Sequence, residues 1–122
     1  MNYMDTRPKT IICDIDGTLV KHNIPTLNTF PYAKLELLPG TIEKLSEWDA
    51  KGYNIILITG RRESMRAATE KQLAELGIFY DKLIMGIGGG DRILINDNKP
   101  NGRETAFAIN LERNKGINDI IL

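Results

Sequence analysis

Ile11-Ile12-Cys13-Asp14-Ile15-Asp16-Gly17-Thr18-Leu19 is the stretch that decides how this chain reads. An apolar run ends in two carboxylates spaced i, i+2, and a glycine follows at once. In a strand those two positions point to the same side, so Asp14 and Asp16 address one small volume. Anions that close repel one another unless a cation lies between them. Mg²⁺ suits hard oxygen ligands of this kind. Gly17 lets the chain turn sharply out of the strand. An acidic surface turn is the plain alternative, since Asp-Gly is common in turns. Signals further along the chain argue against it.

The sequence has 122 residues, which predicts one compact domain over 1–122. Apolar residues make up 42% and charged residues 26%, ordinary values for a water-soluble globular protein. Lys plus Arg and Asp plus Glu number 16 each, so the formal net charge is zero. That balance gives no support to a nucleic-acid or membrane-surface role. The single cysteine, Cys13, excludes an intramolecular disulfide and reads as a small core residue. No apolar stretch approaches a membrane span, and residues 1–9 lack the apolar core of a signal peptide. A cytoplasmic location is expected.

Beyond the opening strand, read as 10–15, the pattern alternates. Residues 19–38 are irregular and punctuated by Pro25 and Pro31, with Pro39 closing the segment. Pro39-Gly40-Thr41 opens a helix running to about Lys51, with Ile42, Leu45 and Trp48 at helical spacing and Gly52 ending it. Tyr53 to Thr59 reads as a second buried strand. Glu63 to Leu76 reads as a helix with Met65, Ala68, Leu73 and Leu76 on one face. Lys82 to Met85 is a third strand, and 86–90 a glycine-rich turn. Arg92 to Ile95 and Thr105 to Asn110 are expected as further strands. Strands alternating with helices predict an α/β fold: a three-layer, Rossmann-like domain with a mainly parallel sheet. Ligands of such sheets bind outside the carboxyl ends of the strands. Asp14, Thr59 and Asp97 each end an apolar run, so they are expected to converge at one edge.

The opening stretch resembles the DxDGT signature of the haloacid dehalogenase (HAD) superfamily of phosphohydrolases. The later family motifs recur in order over nearly the whole chain. The resemblance implies a Mg²⁺-dependent phosphomonoester hydrolase working through an aspartyl phosphate. Asp14 corresponds to the nucleophile and Asp16 to the acid/base. Thr59, with the Gly60 N–H beside it, corresponds to the phosphate-binding position. Ile93-Leu94-Ile95-Asn96-Asp97 resembles the last motif, and Asp97 matches its metal ligand. Asp14, the Asp16 carbonyl and Asp97 would then hold Mg²⁺.

The family's lysine is harder to place. Lys82 opens its strand, away from the chemistry if that strand is parallel. Lys99, two residues past Asp97, is the favoured substitute. The glycine run 86–90 reads as a tight turn between two strands. Adjacent Arg61 and Arg62 at a helix start oppose the helix dipole. They read either as a cation for the substrate anion or as an exposed solubilising pair. His22 reads as an exposed loop histidine.

The gaps between motifs leave room for a flap of two short strands after the first motif and for no cap domain. An open site of this kind takes a large phosphorylated substrate, or a small one if a second subunit covers it. Small capless relatives point to a sugar phosphate of polysaccharide biosynthesis. The rival readings are an inactive phosphate- or metal-binding module and a nucleic-acid end phosphatase.

Overall fold

The computed structural model describes residues 5–22 and 34–122. Among these residues three strands are present: β1 (Thr10–Asp14), β2 (Asn54–Ile58) and β3 (Lys82–Ile84). They form one parallel sheet in the order β1-β2-β3, with Asp14 level with Ile58 and Ile58 level with Ile84. Helix α1 (Thr41–Ala50) lies between β1 and β2 in the chain. A 3₁₀ turn (Glu63–Met65) leads into α2 (Arg66–Glu75), between β2 and β3.

Both crossovers move the same way along the sheet. Right-handed connections therefore put both helices on one face. The burial agrees. Cys13, Ile55, Leu57 and Leu83 share a face and form one cluster with Leu45 and Trp48 of α1 and Leu73 of α2. Burying side chains of this size stabilises the fold by roughly 1.5–3 kcal/mol each. The opposite face carries Ile12, Ile56, Ile58 and Ile84, none of them in that cluster. Ile12 and Ile84 are 49% and 44% exposed. The described helices form one layer, because both crossovers progress in the same direction.

The α/β class and the parallel, Rossmann-like sheet agree with the sequence reading, and no cap domain occurs among the described residues. Beyond β3 the structure differs. Neither 92–95 nor 105–110 forms a strand. Their apolar pattern suits a strand, but among the described residues no backbone hydrogen bond reaches 93–95 or 106–111; the two limbs meet only near their turn, where Asn96 donates to Thr105 at 2.6 Å. Most of the expected flap falls outside the described residues. Its base is antiparallel: Val20 bridges Leu37, and the Lys21 N–H donates to the Glu36 carbonyl at 2.8 Å.

The tail packs back under that base. Ile117 is buried and donates its N–H to the Pro39 carbonyl at 3.0 Å. The contact is close: a Cβ on Gly40 would lie 2.5 Å from the Asn118 Cα. The Asn114 side chain clasps the backbone N–H and C=O of His22 at 2.7 and 3.0 Å. His22 is thus half-buried and held through its backbone, not a free loop residue. No helix among the described residues is long and apolar enough to cross a membrane.

Candidate active site

The first motif curls immediately after β1. The N–H groups of Thr18, Leu19 and Val20 all reach the Ile15 carbonyl, at 3.2, 2.9 and 3.2 Å. Gly17 adopts φ 90°, a conformation that costs a residue with a Cβ, and donates its N–H to the Val20 carbonyl at 2.7 Å. This coil holds Asp14 and Asp16 at the carboxyl end of the sheet. The Thr18 hydroxyl donates to the Asp14 carboxylate at 3.3 Å, and the Ile15 N–H also supports it. Asp14 remains open to solvent at the rim. Neighbouring atoms nevertheless strip enough hydration to raise its pKa, and the Asp16 charge raises it further. Thr18 and the more distant Arg92 act in the opposite direction.

Asp16 is fixed by Arg61. Nε and Nη2 of Arg61 donate to the two Asp16 oxygens at 2.9 and 2.8 Å, a bidentate fork. Nη1 donates to Gln72 at 2.7 Å and to Thr69 at 3.3 Å, both on α2. The Arg61 side chain is 2% exposed. Neither sequence reading of Arg61 holds, since it is a buried strut between the first motif and α2. Arg62 alone is exposed. The same strut explains why α2 buries Thr69 and Gln72 beside Leu73. Its buried face is partly polar because it must satisfy a guanidinium. Two polar residues three apart, eight and eleven positions after an arginine, were the available signal.

Thr59 follows β2 and is buried, and its hydroxyl oxygen accepts the Arg61 N–H at 3.0 Å. The glycine-rich segment lies directly across Gly60, where a Cβ would fall 2.7 Å from the Gly88 carbonyl oxygen. Gly86 and Ile87 donate their N–H groups to the carbonyls of Arg61 and Thr59, at 2.7 and 3.4 Å. The run is therefore a lid on the second motif, not a turn between two strands. A cleft of about 420 Å³ opens beside it, lined by Gly60, Arg61, Arg62, Ser64 and Met65. Arg92 closes this region, bonded to the carbonyls of Gly88 and Gly90 at 2.8 Å each. It is a cation near Asp14 that sequence reasoning did not single out. Cys13 is a buried thiol whose pKa burial pushes up to about 12, as suits an inert core residue.

The structure thus gathers Asp14, Asp16, Thr59 and Gly60 at one edge. It does not bring Asp97 or Lys99 there. Residues 99–103 form a turn closed by the Lys99 N–H on the Arg103 carbonyl at 2.9 Å. Arg103 pairs with Asp5 at 3.3 Å, five residues before β1 begins. Among the described residues no group of three metal-binding side chains is assembled. Lys82 lies level with Ile56, below the carboxyl edge, as a parallel strand requires.

A parallel sheet with a DxDGT coil on its first strand and a Thr-Gly step on its second is the core of a HAD-type phosphatase. The profile of the polynucleotide kinase PNKP phosphatase domain matches residues 8–92. The chain belongs to that family, within the HAD superfamily. A chain in the solved Pnkp1/Rnl/Hen1 RNA repair complex is 32% identical, with a TM-score of 0.54. The match covers 70% of this chain and 28% of that one, so this chain spans under a third of that relative's length. A crystallised protein from Vibrio cholerae has a TM-score of 0.52 at 23% identity, covering 72% of this chain and 79% of that one. That likeness is one of fold. No curated protein matches the chain.

Proposed function

We propose that this chain hydrolyses a phosphomonoester at the Asp14 edge. The observation that carries the reading is the state of Asp14. It is an exposed carboxylate at a strand end, held by Thr18 and the Ile15 N–H, with a second carboxylate fixed beside it. An Asp14 oxygen attacks phosphorus, and the bond from phosphorus to the leaving oxygen breaks. Asp16 gives its proton to that oxygen. It then takes a proton from water as the water attacks the aspartyl phosphate, releasing phosphate and restoring Asp14. The Arg61 fork keeps Asp16 in place for both transfers, and each Asp16 oxygen retains a second lone pair. The Thr59 hydroxyl, already accepting from Arg61, is left to donate to a phosphoryl oxygen. Arg92 adds positive charge on the same side.

The donor set suits Mg²⁺. Two hard carboxylates lie at one strand end, and lost hydration together with the Asp16 charge disfavours the Asp14 anion, which a cation there would favour. Asp14 and the Asp16 carbonyl would hold the ion, with Asp97 as a third ligand. The ion would neutralise charge on the transferring phosphoryl group.

The family and the RNA-repair neighbour support a polynucleotide end as substrate. The cleft supports it too. Arg62 is exposed beside Gly60 and makes no ion pair among the described residues, so it is placed to meet a second phosphate. A sugar phosphate is the second reading, favoured by the zero net charge. The test is phosphate release from an aryl phosphate, from 3′- and 5′-phosphorylated oligonucleotides and from sugar phosphates, each with and without Mg²⁺. Release from an oligonucleotide end, Mg²⁺-dependent and lost in Asp14→Asn, is expected. No release from any of them would overturn the reading.

A further inference from the structure

We infer that the catalytic edge is completed in trans: residues 92–111 of a second copy lie along the free edge of β1 and deliver Asp97 to Asp14 and Asp16.

The arm is built to pair and is unpaired. Ile93, Leu94 and Ile95 are 83%, 59% and 90% exposed, and Phe107 and Ile109 are 75% and 53% exposed. Among the described residues no hydrogen bond reaches the backbone of 93–95 or 106–111. Two apolar segments with free backbone donors and acceptors are a template for strand addition. A matching vacancy exists on the same molecule. Among the described residues β1 pairs with β2 on one side only, and Ile12 lies exposed on the uncovered face. The family match stops at Arg92, where the arm begins.

The chain's own connection is too short to fill that vacancy usefully. Asp97 reaches Asp14 only if 92–96 runs parallel to β1, entering from its amino end. A parallel crossover needs about a dozen residues or more. Here β3 ends at Ile84 and the added strand would start near Arg92. The path would cross three strand spacings, about 14 Å, and descend a five-residue strand, about 16 Å. Even a straight line is over about 20 Å, and it runs through the sheet. The arm instead leaves from the carboxyl side of the sheet, where Arg92 bonds the carbonyls of Gly88 and Gly90 over Gly60, and its 99–103 turn is tied to Asp5 on the amino side of β1. It runs opposite to its own β1.

That direction is the one a second copy needs. A two-fold axis perpendicular to the strands reverses them, so an arm antiparallel to its own β1 runs parallel to the partner's. The exchange is reciprocal, and each copy receives what it gives. Lys99 travels with Asp97 and reaches the same edge.

The inference rests on the phosphatase reading for its activity test, and a mass test and a cross-link stand apart from it. By light scattering at tens of micromolar, the full chain is expected as a dimer or a multiple of it. Ile93→Asp/Ile95→Asp should return it to monomer, and a monomeric parent chain would overturn the inference. Asp14→Asn and Asp97→Ala chains, each inactive alone, are then unfolded together and refolded as a mixture. Random pairing makes half the dimers mixed, and one of the two sites in each mixed dimer is intact. About a quarter of the parent activity is therefore expected, and none would show that the site is completed within one chain. If the single variants keep full activity, the catalytic assignment fails and the cross-link decides the exchange. A short bismaleimide should join an Ile12→Cys chain to a Leu94→Cys chain as a two-chain product. No such product would refute the exchange.

Discussion

Arg61→Met tests the strut that holds the first motif. Methionine keeps much of the volume and loses the charge, so the change is electrostatic more than steric. Arg61 makes two charge-assisted bonds to Asp16, at 2.8 and 2.9 Å, and two bonds to α2, at 2.7 and 3.3 Å. Removing one partner of a buried pair leaves the other charge uncompensated, at a cost of about 3–5 kcal/mol. Asp16 is 18% exposed at its side chain, so water recovers part of this, and about 3 kcal/mol is the expected loss. A domain of this size holds roughly 5–15 kcal/mol, so the variant should fold but unfold at much lower urea. The assay is urea denaturation by circular dichroism at fixed protein concentration, since association shifts the midpoint. The double variant with Asp16→Asn should recover about 1 kcal/mol or more relative to the sum of the singles. A loss below about 1 kcal/mol in Arg61→Met, close to that of a surface change such as Arg62→Ala, would refute the strut.

Asp14→Asn should abolish turnover and, with metal removed by chelator, stabilise the protein at neutral pH. The sign follows from the raised pKa: a carboxyl raised in the folded state favours folding when protonated, and that advantage disappears as pH rises from the ordinary Asp range through the folded value. The variant's excess stability should therefore shrink on acidification, and an excess independent of pH would contradict the assigned cause. Arg92→Ala should lower kcat/KM by more than Lys82→Ala, because Arg92 stands near Asp14 and Lys82 lies two residues below the carboxyl edge. Equal steady-state losses would remove Arg92 from the site. Gly60→Ala should destabilise by about 1–3 kcal/mol, since its Cβ would meet the Gly88 carbonyl at 2.7 Å. An unchanged melting curve would show that the 86–90 lid moves freely.

The sequence by itself determined the local chemistry and the first half of the topology. The run Ile11 to Asp14, the Asp-x-Asp-Gly spacing and Thr59-Gly60 after an apolar run each depend on neighbours in the chain. Local periodicity and turn chemistry suffice to read them. For Lys82 the sequence left the strand direction open, and the parallel pairing of β3 with β2 decides that it lies below the carboxyl edge. Only the tertiary structure decided what Arg61 does. Its partners, Asp16, Thr69 and Gln72, lie 45, 8 and 11 positions away, and only burial distinguishes it from the adjacent, exposed Arg62. Arg92 became a site residue only when the glycine lid folded onto Gly60. The arm shows the limit most clearly. Ile93-Leu94-Ile95 has the composition of a strand, but a strand exists only where a second backbone accepts its hydrogen bonds. Composition records the propensity of 92–95, and only the tertiary structure shows that no backbone among the described residues pairs with it.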